Sequence, residues 1–152
     1  MKAPPSVRIV VKSARAEDVA AIVALLQDAG LPHEGIGTHL NEFLVARVGE
    51  EVVGAVGLEV HGTAALLRSL VVAPELRGKG LGEGLTGTIV ARAASLGVQQ
   101  LYLLTTTAAH FFARRGFTAI ARGNVPAGIA GTEEFKSLCP ASAVCMQRLV
   151  KP

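Results

Sequence analysis

One stretch constrains this chain more than any other: Leu70-Val71-Val72-Ala73-Pro74-Glu75-Leu76-Arg77-Gly78-Lys79-Gly80-Leu81-Gly82. A β-branched run feeds a loop with glycine at alternate positions, and the loop feeds a run of helical periodicity. Glycine lets successive backbone N–H groups turn toward one point with no Cβ in the way. A helix N-terminus adds free donors and about half a positive charge. The combination is a cradle for a pyrophosphate. Arg77 and Lys79 add charge-assisted donors beside it. A glycine-rich turn without a ligand is the plain alternative. Two other phosphate loops do not fit. A P-loop needs G-x-x-x-x-G-K-[ST], but Lys79 is followed by Gly80, and Ala73 occupies the place of the first glycine. A dinucleotide fingerprint on Gly82, Gly84 and Gly87 falls inside the following helix, with no ribose-binding acid about 20 residues on.

The flanking sequence gives the order of elements. Val7 to Ser13 is rich in β-branched residues and is expected as a strand. A helix follows with Glu17 and Asp18 in its first turn and Val19, Ile22, Val23, Leu25 and Leu26 at helical spacing, and it stops at Gly30. Residues 33–41 are a loop or a short second helix. Strands are expected at Glu42–Val48, Val52–His61 and Ala64–Val72, joined by short turns as an antiparallel meander. After the glycine-rich loop come a helix over Gly82–Leu96, a strand over Leu101–Leu104, a helix over Thr107–Arg115 closed by Gly116, and a strand over Phe117–Arg122. A segment with Pro126 and Thr132 to Phe135 carries a short helix, and Ala143–Val150 is the last strand. The sum is one α/β domain over residues 1–152, with a mixed, mostly antiparallel sheet and helices on both faces.

Composition narrows the function. The chain has 152 residues, enough for one core, with half of them hydrophobic and only 18% charged, which excludes disorder. Mean hydropathy is +0.44, yet no apolar run approaches the ~18–20 residues of a membrane span. The first ten residues lack the pattern of a secretory leader. Two cysteines do not make a disulfide scaffold. A cytoplasmic protein with no membrane partner is expected. Fifteen basic against 12 acidic residues give +3. With 4% aromatics and no Trp, there is no interleaved basic and aromatic platform for nucleic acid. A small anionic ligand suits this balance better.

Arg-x-x-Gly-x-Gly fits Arg77 to Gly82 whole, preceded by Leu-x-Val-x-Pro at Leu70, Val72 and Pro74. This resembles motif A of the GNAT superfamily, the Gcn5-related N-acetyltransferases. The family's later N-x-x-A-x-x-x-Y-x-x-x-G-F run has counterparts at Thr105, Ala108, Phe112, Gly116 and Phe117. The resemblance covers residues 7 to 150 in the right element order. It implies acetyl-CoA as co-substrate and a sheet splayed between the fourth and fifth strands. The pyrophosphate would sit on the amides of Arg77, Gly78, Lys79, Gly80, Leu81 and Gly82. The pantetheine would pair with Leu70, Val71 and Val72. Thr105 and Ala108 would line the other side, with Phe111 and Phe112 toward the thioester. Many relatives pair, so a homodimer is compatible with the resemblance.

A narrower likeness is carried by Leu67-Arg68-Ser69-Leu70-Val71-Val72, Leu101-Tyr102-Leu103-Leu104-Thr105-Thr106-Thr107 and Leu138-Cys139-Pro140-Ala141-Ser142-Ala143-Val144-Cys145-Met146. These segments are similar to the arsenic-resistance N-acetyltransferases. A related branch acetylates glutamate-like toxins such as phosphinothricin and arsinothricin. The likeness implies an arsenic- or phosphorus-containing amino acid as the small-molecule amine substrate. Acetylation of another small amine, and non-catalytic binding of acyl-CoA or a metalloid, are the other readings.

Acetyl transfer needs a neutral amine, hence a base or a relayed water, and a donor at the tetrahedral oxygen. The N–H of Val71 or Val72 is the expected oxyanion donor. Glu59 and Ser69 are the candidate catalytic residues, with Glu59 as base or relay. Arg68 is the candidate for a substrate carboxylate. A cross-strand Glu59–Arg68 ion pair on a solvated face is the alternative. Glu34 is a candidate substrate contact in the loop that covers the acceptor in the family, near His33 and His39, although loop residues are commonly solvated. The family's proton-donating Tyr is replaced by Phe112, and the only tyrosine, Tyr102, is on the preceding strand. Cys139 and Cys145 lack metal-site spacing and no metal is expected. Buried thiols acting as small hydrophobes are the expectation, and contact with trivalent arsenic is the alternative.

Overall fold

The computed structural model describes residues 8–151. Seven strands form one sheet in the order β1-β2-β3-β4-β5-β7-β6. They are β1 (Ile9–Ser13), β2 (Phe43–Val48), β3 (Glu51–His61), β4 (Ala64–Val72), β5 (Gln100–Thr105), β6 (Thr118–Ala119) and β7 (Val144–Leu149). The helices are α1 (Val19–Asp28), α2 (Leu81–Ser95), α3 (Ala109–Ala113) and α4 (Ala127–Ala130). The expected α/β class and element order hold. Val7, expected to begin β1, lies outside the described residues.

The ladders β1–β2, β2–β3, β5–β7 and β6–β7 are antiparallel. The β4–β5 ladder is parallel and its register runs over Ala64–Leu66 with Gln100–Tyr102. That is the expected mixed, mostly antiparallel sheet. A parallel neighbour needs a long crossover, and the loop with α2 supplies it.

Helix ends follow the glycines. Gly30, Gly97 and Gly116 have φ of 70°, 82° and 89°. Each closes a Schellman pair, as in Val98 N to Ala93 O at 3.0 Å beside Gly97 N to Ala94 O at 3.1 Å. The strand expected over Phe117–Arg122 is shorter. Phe117 turns inward (2% exposed), and Arg122 leaves the ladder to donate to the carbonyls of Pro140 and Phe135 at 2.9 and 3.1 Å. The helix expected over Thr107–Arg115 keeps only the turns of α3. The region 33–41, open between loop and helix, is turns followed by a 3-10 turn at Leu40–Glu42.

Contacts divide the chain into two compact units, one of residues up to Gly57 with Ser69–Thr86, the other of Leu58–Arg68 with Gly87 onward. In the first, Ile22 and Leu26 of α1 pack on Ile36, Phe43, Val45, Ala55 and Val71. Phe43 faces Gly57 in the β2–β3 register, and a Cβ on Gly57 would stand 2.3 Å from its ring. A glycine there makes room for a fully buried aromatic. In the second unit, Ala64, Leu66, Tyr102, Ile129, Phe135 and Cys145 form the core.

A buried ion pair fastens the start of α1 to β2. The β2–β3 register skips a residue after Ala46, a bulge beside Arg47. The Arg47 guanidinium donates to both oxygens of Asp18, and the Arg15 amide donates to Asp18 at 2.7 Å. Burial pushes the Asp18 carboxyl up, but the Arg15 amide and the Arg47 charge outweigh it and hold the group below its ordinary value of 3.8. A carboxyl so lowered stabilises the fold fully above its unfolded value, and the contribution is lost as pH falls through the folded value. Asp18→Ala leaves a buried guanidinium unpaired, which costs about 3 kcal/mol, or roughly 10 °C in Tm. The Tm gap to wild type is expected to be full near neutral pH and to shrink in acid below about pH 4. Thermal melts across that range check both the size and the direction.

Candidate active site

In the first unit, β4 ends where Ala73 N donates to Val53 O at 2.8 Å. A 3-10 turn at Pro74–Leu76 follows, with proline at its start. Arg77, Gly78, Lys79 and Gly80 are exposed, and α2 begins at Leu81. Gly78 and Gly80 have φ of +77° and +86°, and no atom lies within 4 Å of a Cβ built on either. The loop is therefore left-handed at alternate residues and open on its outer side. The first α2 bond of this region is Gly84 N to Gly80 O at 3.0 Å. The amides of Leu81 and Gly82 precede it, in the orphan positions of a helix N-terminus that an anion takes up. Arg77 differs from a free phosphate ligand, because its Nε donates to Val72 O at 3.1 Å and ties the loop to the end of β4.

Ser69 in β4 has φ of +65°, the one non-glycine residue with positive φ among the described residues. A left-handed L-residue costs about 1–2 kcal/mol, so the surroundings hold it there. Farther along β4, a Cβ on Gly54 would stand 3.2 Å from Val71 O and 3.1 Å from Leu85 Cδ1. The backbone of β3 comes close to Val71 at that point.

The second unit brings together charges that the sequence placed apart. Glu59 and Arg68 are 5% and 3% exposed, so they do not lie on a solvated face. Arg68 Nη1 donates to Glu59 Oε2 at 2.7 Å. Arg68 Nε lies 3.4 Å from Oε2 of Glu134, itself 4% exposed. The covering segment from Pro126 explains the burial. Ile129 and Phe135 pack on Leu66 and Tyr102, and Gly128 sits so near His61 that a Cβ would be 3.1 Å from its Cβ. His61 remains at the rim, its Nε2 3.9 Å from Glu59 Oε1.

Thr105 Oγ1 accepts from Ala108 N at 2.9 Å and shapes the entry to α3. Phe112 is 5% exposed and meets Phe111 and Phe117 edge-on, with centroids at 5.1 and 5.5 Å. In the slot where the resembling family has a proton donor, this chain has a packed ring. Tyr102 is buried and its hydroxyl accepts from Gln147 Nε2 at 3.0 Å. Glu34 is exposed in the first unit, where its Oε1 accepts from His33 N at 3.0 Å.

The model of the acetyltransferase (GNAT) domain family matches residues 34–119. The chain belongs to this family. An amino-acid acetyltransferase of Pseudomonas paraeruginosa is 31% identical over 136 residues, which are 82% of this chain and 31% of that protein. One from Neisseria meningitidis is 26% identical over 114 residues, 71% of this chain and 26% of that protein. This GNAT chain thus spans about a quarter to a third of the length of such relatives. Among solved structures, N-acetylglutamate synthase of Neisseria gonorrhoeae, complexed with coenzyme A and N-acetyl-glutamate, superposes with a TM-score of 0.83. It shares 20% identity, over 97% of this chain and 36% of that one, a likeness of fold. Rv2747 from Mycobacterium tuberculosis, in complex with CoA, reaches 0.80 at 26% identity, over 93% of this chain and 99% of that one.

Sequence reasoning assigned no role to Glu134 or Arg122. Both act through contacts far along the chain, and no local pattern announces such a partner. The cysteines are free thiols. Burial, then the neighbouring Glu134, pushes Cys139 up to about 12, and burial raises Cys145. Cys145 is buried as expected of a small hydrophobe, whereas Cys139 is only half-buried; both shifts lower the share of the reactive thiolate. Neither is expected to alkylate in the folded state at about pH 8, and both are expected to do so once it is unfolded. Mass spectrometry after iodoacetamide treatment reads this. For the strained serine, Ser69→Gly is expected to lie within about 1 kcal/mol of wild type, while Ser69→Val costs about 2 kcal/mol or more. Denaturant melts check the contrast.

Proposed function

We propose that this GNAT chain, acting as a single domain, is an acetyl-CoA-dependent N-acetyltransferase for the α-amino group of a small amino acid. The observation that carries the reading is the open, left-handed glycine loop running into the N-terminus of α2. Its amides suit a pyrophosphate. The family match supports it, as do the curated relatives named amino-acid acetyltransferases and the neighbours that hold coenzyme A. Within that substrate class, an arsenic- or phosphorus-containing amino acid is the finer proposal, and it rests on the sequence likeness alone.

The pyrophosphate lies along Arg77 to Gly82 and the pantetheine along Leu70 to Val72. Thr105, Ala108, Phe111 and Phe112 are assigned to the cofactor on the resemblance. The amine attacks the thioester carbon after losing a proton to a base or solvent. The N–H of Val71 or Val72 steadies the tetrahedral oxygen. The C–S bond then breaks as the amide forms. Phe112 has no proton to give, so coenzyme A leaves as a thiolate, which its modest pKa permits. Glu59 and Arg68 enter as positioning groups, because each is buried and holds the other.

The same packed Phe112 favours a second reading, a non-catalytic acyl-CoA binder. A thiol-release assay separates the two. Acetyl-CoA is offered with glutamate, phosphinothricin, arsinothricin, spermidine and an aminoglycoside. Turnover of the amino acids is expected, with the cationic amines inert. Binding of acetyl-CoA without turnover of any amine supports the binder instead. Gly80→Val places a side chain in the loop and is expected to weaken acetyl-CoA by about tenfold or more, which is 1.4 kcal/mol or more. Unchanged affinity overturns the loop assignment.

A further inference from the structure

The first unit gathers cations beside its edge strand. Arg8 stands just ahead of β1 and Lys12 lies within it, on either side of Val10. Alternate residues of a strand share a face. Val10 is the register partner of Arg47 on β2, so Arg47 shares that face with both cations. With Arg15, which precedes the 3-10 turn ahead of α1, they line a groove of about 500 Å³. That is the size of a small-molecule site. The β2–β3 turn adds Gly49 and Glu50, and Glu50 is the acid among these lining residues. Among the described residues, neither Arg8 nor Lys12 has an ion-pair partner. Arg15 meets Glu17 at 3.6 Å, but both are largely exposed, and such a surface pair opens at little cost. Arg47 is different, being only 8% exposed. Its bond to Asp18 uses Nη2 for both carboxylate oxygens. Among the described residues its Nη1 and Nε donate to no protein atom. A guanidinium held in place, with two donors left and a groove beside it, suits an oxyanion.

We infer that this groove binds a small polyanion bearing phosphate or carboxylate groups, at a site separate from the glycine loop. Arg47 is the fixed donor, set by Asp18 before a ligand arrives. Arg8, Lys12 and Arg15 close on the anion from the rim with charge-assisted bonds. A second hollow shares Arg15, Arg47 and Glu50 with the groove, and it carries Glu17, Asp28 and Glu51. Those carboxylates repel an anion and confine it to the β1 side. A small anion fits there, whereas an extended one crossing both hollows meets the acids. The glycine loop leads into a helix on the other face of the sheet. Ala55 packs with Ile22 and Leu26 of α1. A Cβ on its neighbour Gly54 would instead stand 3.1 Å from Leu85 of α2. Adjacent strand residues point to opposite faces, so α1 and α2 cover opposite faces of this unit. The groove lies on the α1 side, and the inference does not depend on acetyl-CoA binding.

The test is an NMR titration with inorganic pyrophosphate and, separately, with citrate. Ionic strength is kept at about 0.02 M, where screening is weak. The amides of residues 10–13 and 47–49, with the Arg47 Nε–H, are expected to shift together and to saturate with Kd below about 1 mM. The tighter probe names the headgroup, phosphate or carboxylate. The double variant Arg8→Gln, Lys12→Gln is expected to weaken this binding by about tenfold or more. Both side chains are exposed, so its Tm is expected to stay within about 2 °C of wild type. Amides of residues 78–82 report the glycine loop separately, so failure of the loop reading and failure of the groove are told apart. Shifts at the loop alone overturn the inference. Groove shifts that never saturate overturn it as well, since they mark general screening. Binding that the double variant leaves unchanged does the same. Saturation by a poly-glutamate peptide, with neither small probe binding, makes the groove a peptide site and overturns it too.

Discussion

The burial of Arg68 is the condition that the second unit satisfies. A permanent cation in an apolar setting needs anionic partners, and two carboxylates supply them from different parts of the chain. One is a neighbour across a short turn, and the other arrives on the segment that also brings Ile129 and Phe135 onto the sheet. Apolar contact gives that segment its affinity for the sheet, and the ionic contact gives it a register. The first unit uses the same device, with Arg47 on β2 held by Asp18 at the start of α1. In each unit a strand arginine and a carboxylate from a distant element define how a helical segment sits on the sheet.

The glycine-rich loop has another cause. Its form follows from local chemistry: left-handed glycines, a proline-led 3-10 turn and a helix start. Little packs against it, as the space around Gly78 and Gly80 shows. A loop of this kind takes its shape from its own glycines without help from a core. That suits a cradle for an anion that must enter and leave. Arg77 closes the loop onto Val72 rather than standing free, so its charge is placed by a backbone carbonyl.

Much of the fold was legible because the signals are local. β4 was bounded correctly at Ala64 and Val72 from its flanking turn and Pro74. Helix ends were marked by Gly30, Gly97 and Gly116, and each adopts the left-handed cap. The weaker elements were misjudged where long-range contacts compete. Phe117 to Arg122 has strand character, but Arg122 is drawn off to three carbonyls of the covering segment. The left-handed glycine loop leading into α2 was readable from spacing. The company kept by Glu59 was not, because Glu134 carries no local sign of its partner.

The sequence by itself determined the element order, the helix stops and the left-handed glycine loop, since each depends on residue type and spacing within a few positions. Only the tertiary structure decided that Glu59 and Arg68 are buried rather than solvated. Only it showed that Glu134 joins them and that Ser69 is left-handed. Those properties depend on what covers a residue, and the covering atoms come from chain segments that no local pattern connects.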